Sequence, residues 1–301
     1  MRKWRIRARG GDGDDRAAAE WMRRGAELLG TDLDGAEHCY LMAVELDDSL
    51  SVAWFDLGLI AKWRHRWADC LEFNRRAASL APPGEPPGNP AYWNAGIAAT
   101  ALRDWTMARW AWRAFGIPIS DGDGPIEESF GMGVVRLPEG ETVWGRRLDP
   151  ARMQLLSIPF PEGGFRSDDV VLHDGEPVGS RVTEGREYSV FNVIEQWHGS
   201  SVPTISVEVE ASEIALDELL RLSAAEEMRV ENWTESVSIH CLACSTGRVD
   251  YDDPAHDHRP VRTPGAPIRL GFSADESEVR GMLASWESAT GGTVLDLVVH
   301  R

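Results

Sequence analysis

A chain of 301 residues, 43% apolar and 27% charged, is long enough for two domains and a substantial core, and has no apolar run near the ~18 residues of a membrane span. Its net charge of −18 is placed unevenly: residues 1–116 hold 16 Lys+Arg against 16 Asp+Glu, which leaves 15 against 33 for residues 117–301. Phosphate would be repelled by so acidic a module, so nucleic acid is excluded as a partner; basic proteins, or solubility alone, remain. Four cysteines do not make a disulfide framework in a chain of this length, and the chain reads as cytoplasmic.

Residues 1–15, "MRKWRIRARGGDGDD", form a basic tail with no apolar stretch behind it, unlike a secretory signal. Residues 16–116 read as helix throughout, and nine of the 13 Trp lie before residue 116. The stretch "AWFDLGLIAKWRHRWADCLEFNRRAASLAP", residues 53–82, carries Trp54, Leu57 and Gly58, then Cys70, Ala77 and a terminating Pro82. Upstream, Ala36, Tyr40 and Ala43 share one helical face, and Ala36 lies 34 residues before Cys70. Downstream, Gly96 and Ala108 lie 38 residues after Gly58 and Cys70, the four extra residues falling in "PPGEPPGNP".

Residues 16–116 resemble the tetratricopeptide repeat (TPR) family: the middle repeat matches the Trp-x2-Leu-Gly pattern, and the outer two match in period and texture. The helix at about 16–29 lacks that signature. The resemblance implies three stacked helix pairs with a groove lined by the first helix of each. Three residues before Gly58 and Gly96 stand Phe55 and Trp93, and the Ala36–Cys70 register puts Trp21 in the same place. Leu59 and Ile97 follow one turn later, and Lys62 and Arg103 add positive charge. The expected binding groove is therefore Trp21, Phe55, Leu59, Lys62, Trp93 and Ile97, suited to an extended or helical peptide. Its occupant is either a partner or this chain's own tail or β-rich half, since large exposed apolar patches are rare.

A linker is expected at 117–130. Residues 131–202 then show strand-like runs, "GVVRL", "TVWGRRL", "QLLSIPF", "DVVLH" and "YSVFNVI", separated by Glu-Gly and Asp-Gly pairs. That pattern predicts an antiparallel sheet or small barrel. Asp174–Gly175 reads as a hairpin turn rather than, with His173, half of a catalytic pair. Residues 203–301 contain two β-α-β units, which predicts a ferredoxin-like split βαβ module. The fold class is thus α+β and multidomain, beginning with helical repeats.

An insertion at 240–262 separates those two units. It holds Cys241, Cys244, His256 and His258 in the pattern C-x2-C-x11-H-x-H. Two thiolates from a tight turn and two imidazoles make a tetrahedral zinc set, although zinc-finger histidines are usually spaced wider. Asp250, Asp252, Asp253 and Asp257 can orient the histidines. A structural zinc, no metal, and a redox pair stay open. Cys39 and Cys70 read as core residues. No nucleophile elbow, HExxH, P-loop or dinucleotide fingerprint appears.

Two functions follow. One is an adaptor that binds a protein or peptide, not nucleic acid or membrane, through the groove and the acidic module. An immunity- or antitoxin-like form would hold a basic toxin domain. The alternative is a metal-dependent enzyme whose α/β half is catalytic and whose helices dock the substrate. Four protein ligands on the metal would make it structural; three plus water would leave a catalytic position.

Overall fold

The computed structural model describes residues 12–82, 84, 86–183, 186–236 and 266–300. The chain divides into two compact units, Met1–Glu128 and Ser129–Arg301.

The first unit contains six consecutive α-helices: α1 (Asp12–Leu28), α2 (Leu33–Leu46), α3 (Ser51–Trp63), α4 (Trp67–Ser79), α5 (Pro90–Ala101) and α6 (Trp105–Phe115). Local chemistry sets several boundaries. The Asp32, Asn89 and Asp104 side chains accept backbone N–H bonds at the starts of α2, α5 and α6, and Pro90 opens α5. Gly116, left-handed at φ 107°, closes α6. Short connections make neighbouring helices antiparallel, and α1 packs on α2, α3 on α4, and α5 on α6. The core between them is built on Tyr40, Trp54, Leu57, Ile60 and Phe73.

In each pair a glycine leaves room for a side chain of the partner helix. A Cβ on Gly25 would lie 2.9 Å from the Tyr40 ring, on Gly58 2.2 Å from Asn74 Nδ2, and on Gly96 2.6 Å from the Trp112 ring. The turns repeat as well. His65, between α3 and α4, and Arg103, between α5 and α6, are both left-handed, at φ 52° and 61°. In both turns the following N–H donates five residues back, Arg66 to Ala61 and Asp104 to Ala99. Six packed helices with recurring geometry are compatible with a helical repeat. α1 begins at Asp12, inside the stretch read from sequence as tail.

In the second unit, β1 (Met132–Arg136), β2 (Thr142–Arg147), β3 (Arg152–Leu155), β4 (Val170–Thr183) and β5 (Arg186–His198) form a closed barrel. Consecutive strands are antiparallel, but β1 and β5 pair in parallel. This corrects the wholly antiparallel expectation for 131–202. An odd number of alternating strands leaves the first and last pointing the same way, so closure requires one parallel pair. Asp174–Gly175 is not a hairpin either. It lies within β4, where the pairing with β5 slips between His173 and Pro177. Gly175 and Pro177 sit at an irregularity that bends a 14-residue strand around the barrel.

The rest of this unit is β6 (Thr204–Glu210), α7 (Glu213–Ala225), β7 (Arg229–Asn232), the short α8 (Trp233–Ser236), β8 (Ile268–Ser273), α9 (Glu276–Thr290) and β9 (Thr293–His300). The sheet order is β7-β8-β6-β9, and every pairing is antiparallel. Alternation puts Ile205, Val207, Val209, Ile268, Leu270 and Phe272 in one core with Leu219, Met282 and Trp286 of the helices. On β8, Gly271 makes room for Trp233, whose ring would lie 2.1 Å from a Cβ there. Trp233 Nε1 donates to the Ile158 carbonyl at 2.9 Å, joining this sheet to the barrel's Ser157–Phe160 segment.

Two glycines give opposite expectations. Gly58→Ala forces its methyl onto buried Asn74, and overpacking of this kind costs about 1–3 kcal/mol. Gly281, inside α9 with nothing within 4 Å of a Cβ, should gain about 0.5–1 kcal/mol as Ala. Urea denaturation of both variants checks the pair.

Candidate functional site

α3 is apolar on almost every side. Ala53, Trp54, Leu57, Ile60 and Ala61 enter the core. Val52, Phe55, Leu59 and Trp63, spaced i, i+3, i+7 and i+11, share another face. Val52 is 58% exposed and Trp63 47%, with Phe55 and Leu59 half-buried between them. Two polar groups flank this stripe. Lys62 is buried, and its Nζ donates to Asn94 Oδ1 on α5 at 3.0 Å, so it fastens α3 to α5. Burial pushes the Asp56 carboxyl above its ordinary range, and the Tyr40 hydroxyl partly opposes that.

The other residues expected in the groove are placed differently. Ile97 is fully buried in the core. Trp93 packs edge-on against Trp112 and Phe115 of α6, with ring centroids 5.1 and 4.9 Å apart. Trp21 lies edge-on to His38 of α2 at 5.9 Å and against the helical core. Its register is shifted by one. Gly25 follows Trp21 by four residues, as Gly58 follows Trp54, so Trp21 corresponds to Trp54 rather than to Phe55. The structure thus brings Phe55 and Leu59 together on one face, with Phe55 also packed against the helical core, and gives Trp21, Trp93, Ile97 and Lys62 partners within the helical unit. Val52 and Trp63 were missed from sequence, although their spacing from Phe55 and Leu59 puts them on the same stripe.

The second unit concentrates buried polar groups around Ser157–Phe160. Glu141 accepts the Phe160 N–H through both carboxylate oxygens at 3.2 Å, and Glu231 of β7 accepts the Ile158 N–H at 3.1 Å. Burial raises the Glu141 carboxyl to about 7, with the charges of Glu231 and Glu162 adding to the rise and the Phe160 N–H opposing it. Glu231 is raised for the same first reason. Glu162 is instead held low by its hydrogen bond to Arg269, 2.7 Å away. Arg269 in turn lies over the Phe160 and Trp233 rings at 5.4 and 5.2 Å.

His173 is fully buried in the barrel and packs at a tilt against Phe191, with ring centroids 4.7 Å apart. Its Nδ1 donates to the Asp174 carbonyl at 2.9 Å, and burial lowers its pKa to about 4. A neutral imidazole packed on Phe191 is a core group here.

Cys241, Cys244, His256 and His258 lie outside the described residues. Among the described residues, no group of three or more His, Cys, Asp or Glu is arranged to hold a metal ion. Cys39 and Cys70 are buried and are not joined in a disulfide. No described helix is long and apolar enough to cross a membrane. No protein-family profile and no curated protein matches this sequence.

The buried titratable groups predict a pH dependence with two opposing parts. Glu141 and Glu231 both bind protons more tightly folded than unfolded; the Glu141 contribution is full below about pH 4.5 and is lost as pH rises toward 7, and that of Glu231 is lost in the same direction. His173 is depressed from about 6.5, so its contribution is full above that value and is lost as pH falls toward 4. Glu141→Gln should weaken the loss of stability between pH 5 and about 7.5, leaving the histidine's opposite slope more visible. Denaturation midpoints across that range measure both.

Proposed function

We propose that the six helices are a short tetratricopeptide array and that the chain is an interaction protein, binding a partner protein or peptide along the outward stripe of α3. The observation that carries this reading is the row Val52, Phe55, Leu59 and Trp63, an apolar face on a helix whose other side already fills the core. Aromatic and branched side chains on a rigid helix give contact area at low entropic cost. Glycine contacts in each helix pair, and matching turns at His65 and Arg103, support the repeat assignment.

The strand order β7-β8-β6-β9, with its two β-α-β units, supports a ferredoxin-like split βαβ module as the second part. The acidic excess of residues 117–301 makes a basic protein the chemistry it would attract, as in an immunity- or antitoxin-like role. Within this reading Cys241, Cys244, His256 and His258 hold one structural zinc. Elemental analysis of untagged protein should give about one zinc per chain, lost with Cys241→Ser.

The α3 reading has its own test. Val52→Lys with Trp63→Ala should leave the melting profile close to wild type, since exposed substitutions usually change stability by no more than about 0.5 kcal/mol. The same variant should lose partner binding, measured by co-purification from source cells, mass spectrometry and titration of the purified partner. Ile97→Ala, a core truncation, should cost about 2–5 kcal/mol. A double variant that melts like wild type and retains every associated protein would remove α3 as the binding face.

A further inference from the structure

The two sheets of the second unit treat their edges differently. Closure of the barrel through β1 and β5 leaves no free edge there. In the second sheet, the edge strand β7 has only four residues, and its Arg229 is held by Ser167 Oγ at 2.7 Å and by the Asp168 carboxylate. The opposite edge strand, β9, runs for eight residues and, among the described residues, pairs with β6 alone.

β9 lacks the proline or lysine that commonly blunts an edge. Leu295 and Val298 on it are 48% and 41% exposed. Its one irregularity is at Leu295, which the pairing with β6 skips between Val294 and Asp296. From Asp296 to His300 the strand is regular, each residue opposite one of Thr204–Glu208. An open row of backbone N–H and C=O groups on an apolar strand is a template for another strand.

We propose that β9 pairs antiparallel with β9 of a second copy of this chain, about a two-fold axis at Val298. This register uses all five regular residues. Val298 meets its own copy, Leu297 meets Val299, and Asp296 meets His300, so a carboxylate faces an imidazole on each side of the axis. The Ser206 hydroxyl, 2.9 Å from His300 Nε2, holds that ring in place. Leu297 and Val299 both pack with the helical core, so this register keeps the helices of both copies on one side of a continuous eight-stranded sheet. Moving the axis to Leu297 would oppose Asp296 to Val298 and draw the bulged Leu295 into the ladder. A five-residue ladder is smaller than the ~1,200–2,000 Å² of a stable interface, so the dimer is reversible. It is independent of the α3 reading.

Sedimentation of the full-length protein over a concentration series tests this. The wild type should move from the mass of one chain toward twice that mass with rising concentration. Val298→Lys, which sets two like charges on the axis, should weaken the dimer about tenfold or more with an unchanged melting profile. Asp296→Arg should weaken it too, and adding His300→Asp should restore it. With a mild two-electron oxidant, Val298→Cys should form a disulfide-linked dimer, whereas Leu295→Cys and wild type should not. A wild type that stays at one-chain mass throughout, a Val298→Lys protein that dimerises like wild type, or equal cross-linking at position 295 overturns the proposal.

Discussion

Where α3 crosses α4, a methyl on Gly58 would lie 2.2 Å from the amide nitrogen of Asn74. That contact fixes how near the two helices come, and much else in the first unit depends on it. Close approach puts Trp54, Leu57 and Ile60 into a dry core with Phe73. It also sets the rotation of α3, which decides that Val52 and Trp63 face outward while Ala53 and Trp54 do not. The same device recurs at Gly25 under Tyr40, at Gly96 under Trp112 and, in the second unit, at Gly271 under Trp233. In each case a backbone without a side chain accepts a large one from the neighbouring layer, which gives dense packing without overlap.

Polar and apolar surfaces divide along α3. Lys62 is a long cation at a position that sequence assigns to a groove, yet it is spent on Asn94. Trp93, surrounded by Trp112 and Phe115, is likewise committed to packing. What remains on the outward stripe is aliphatic and aromatic, with Asp56 beside it. A surface of that kind gains from excluding water more than from pairing charges.

In the second unit the Ser157–Phe160 segment joins the barrel to the second sheet, beside the Arg229–Asp168 and Arg269–Glu162 ion pairs. It is held by two carboxylates on its backbone N–H groups and by Trp233 on its Ile158 carbonyl. Burial disfavours an ionised carboxylate, which is why Glu141 rises to about 7, with the nearby Glu231 and Glu162 charges adding to the rise, while Glu162, hydrogen-bonded to Arg269, falls. By contrast, Asp149 and Arg152, also buried, form a matched ion pair at 2.6 Å, with Asp149 accepting two backbone N–H bonds besides. Unequal compensation of buried charge places the carboxylate part of the pH sensitivity at the joint between the sheets, and His173 places the opposing part in the barrel core.

Helical and strand periods alone determined where α2 to α7, α9 and most strands lie, because 3.6- and 2-residue patterns reflect which side of an element is buried. Two β-α-β units and the 38-residue spacing of Gly58 and Gly96 were legible for the same reason. Trp21 to Gly25 lacks the leucine of Trp54 to Gly58, so the glycine contact of the first helix pair was not legible in the sequence, and only the Tyr40 ring over Gly25 reveals it. Asp174–Gly175 carries the composition of a turn, but the curvature of a closed five-stranded barrel uses it as a bulge. Whether Trp93, Ile97 or Lys62 faces solvent was settled by α5 and α6, and whether Glu141 is an ordinary carboxylate by a backbone segment 19 residues away. Local sequence encodes which face of an element is apolar; which neighbour covers that face depends on distances between elements that no local pattern carries.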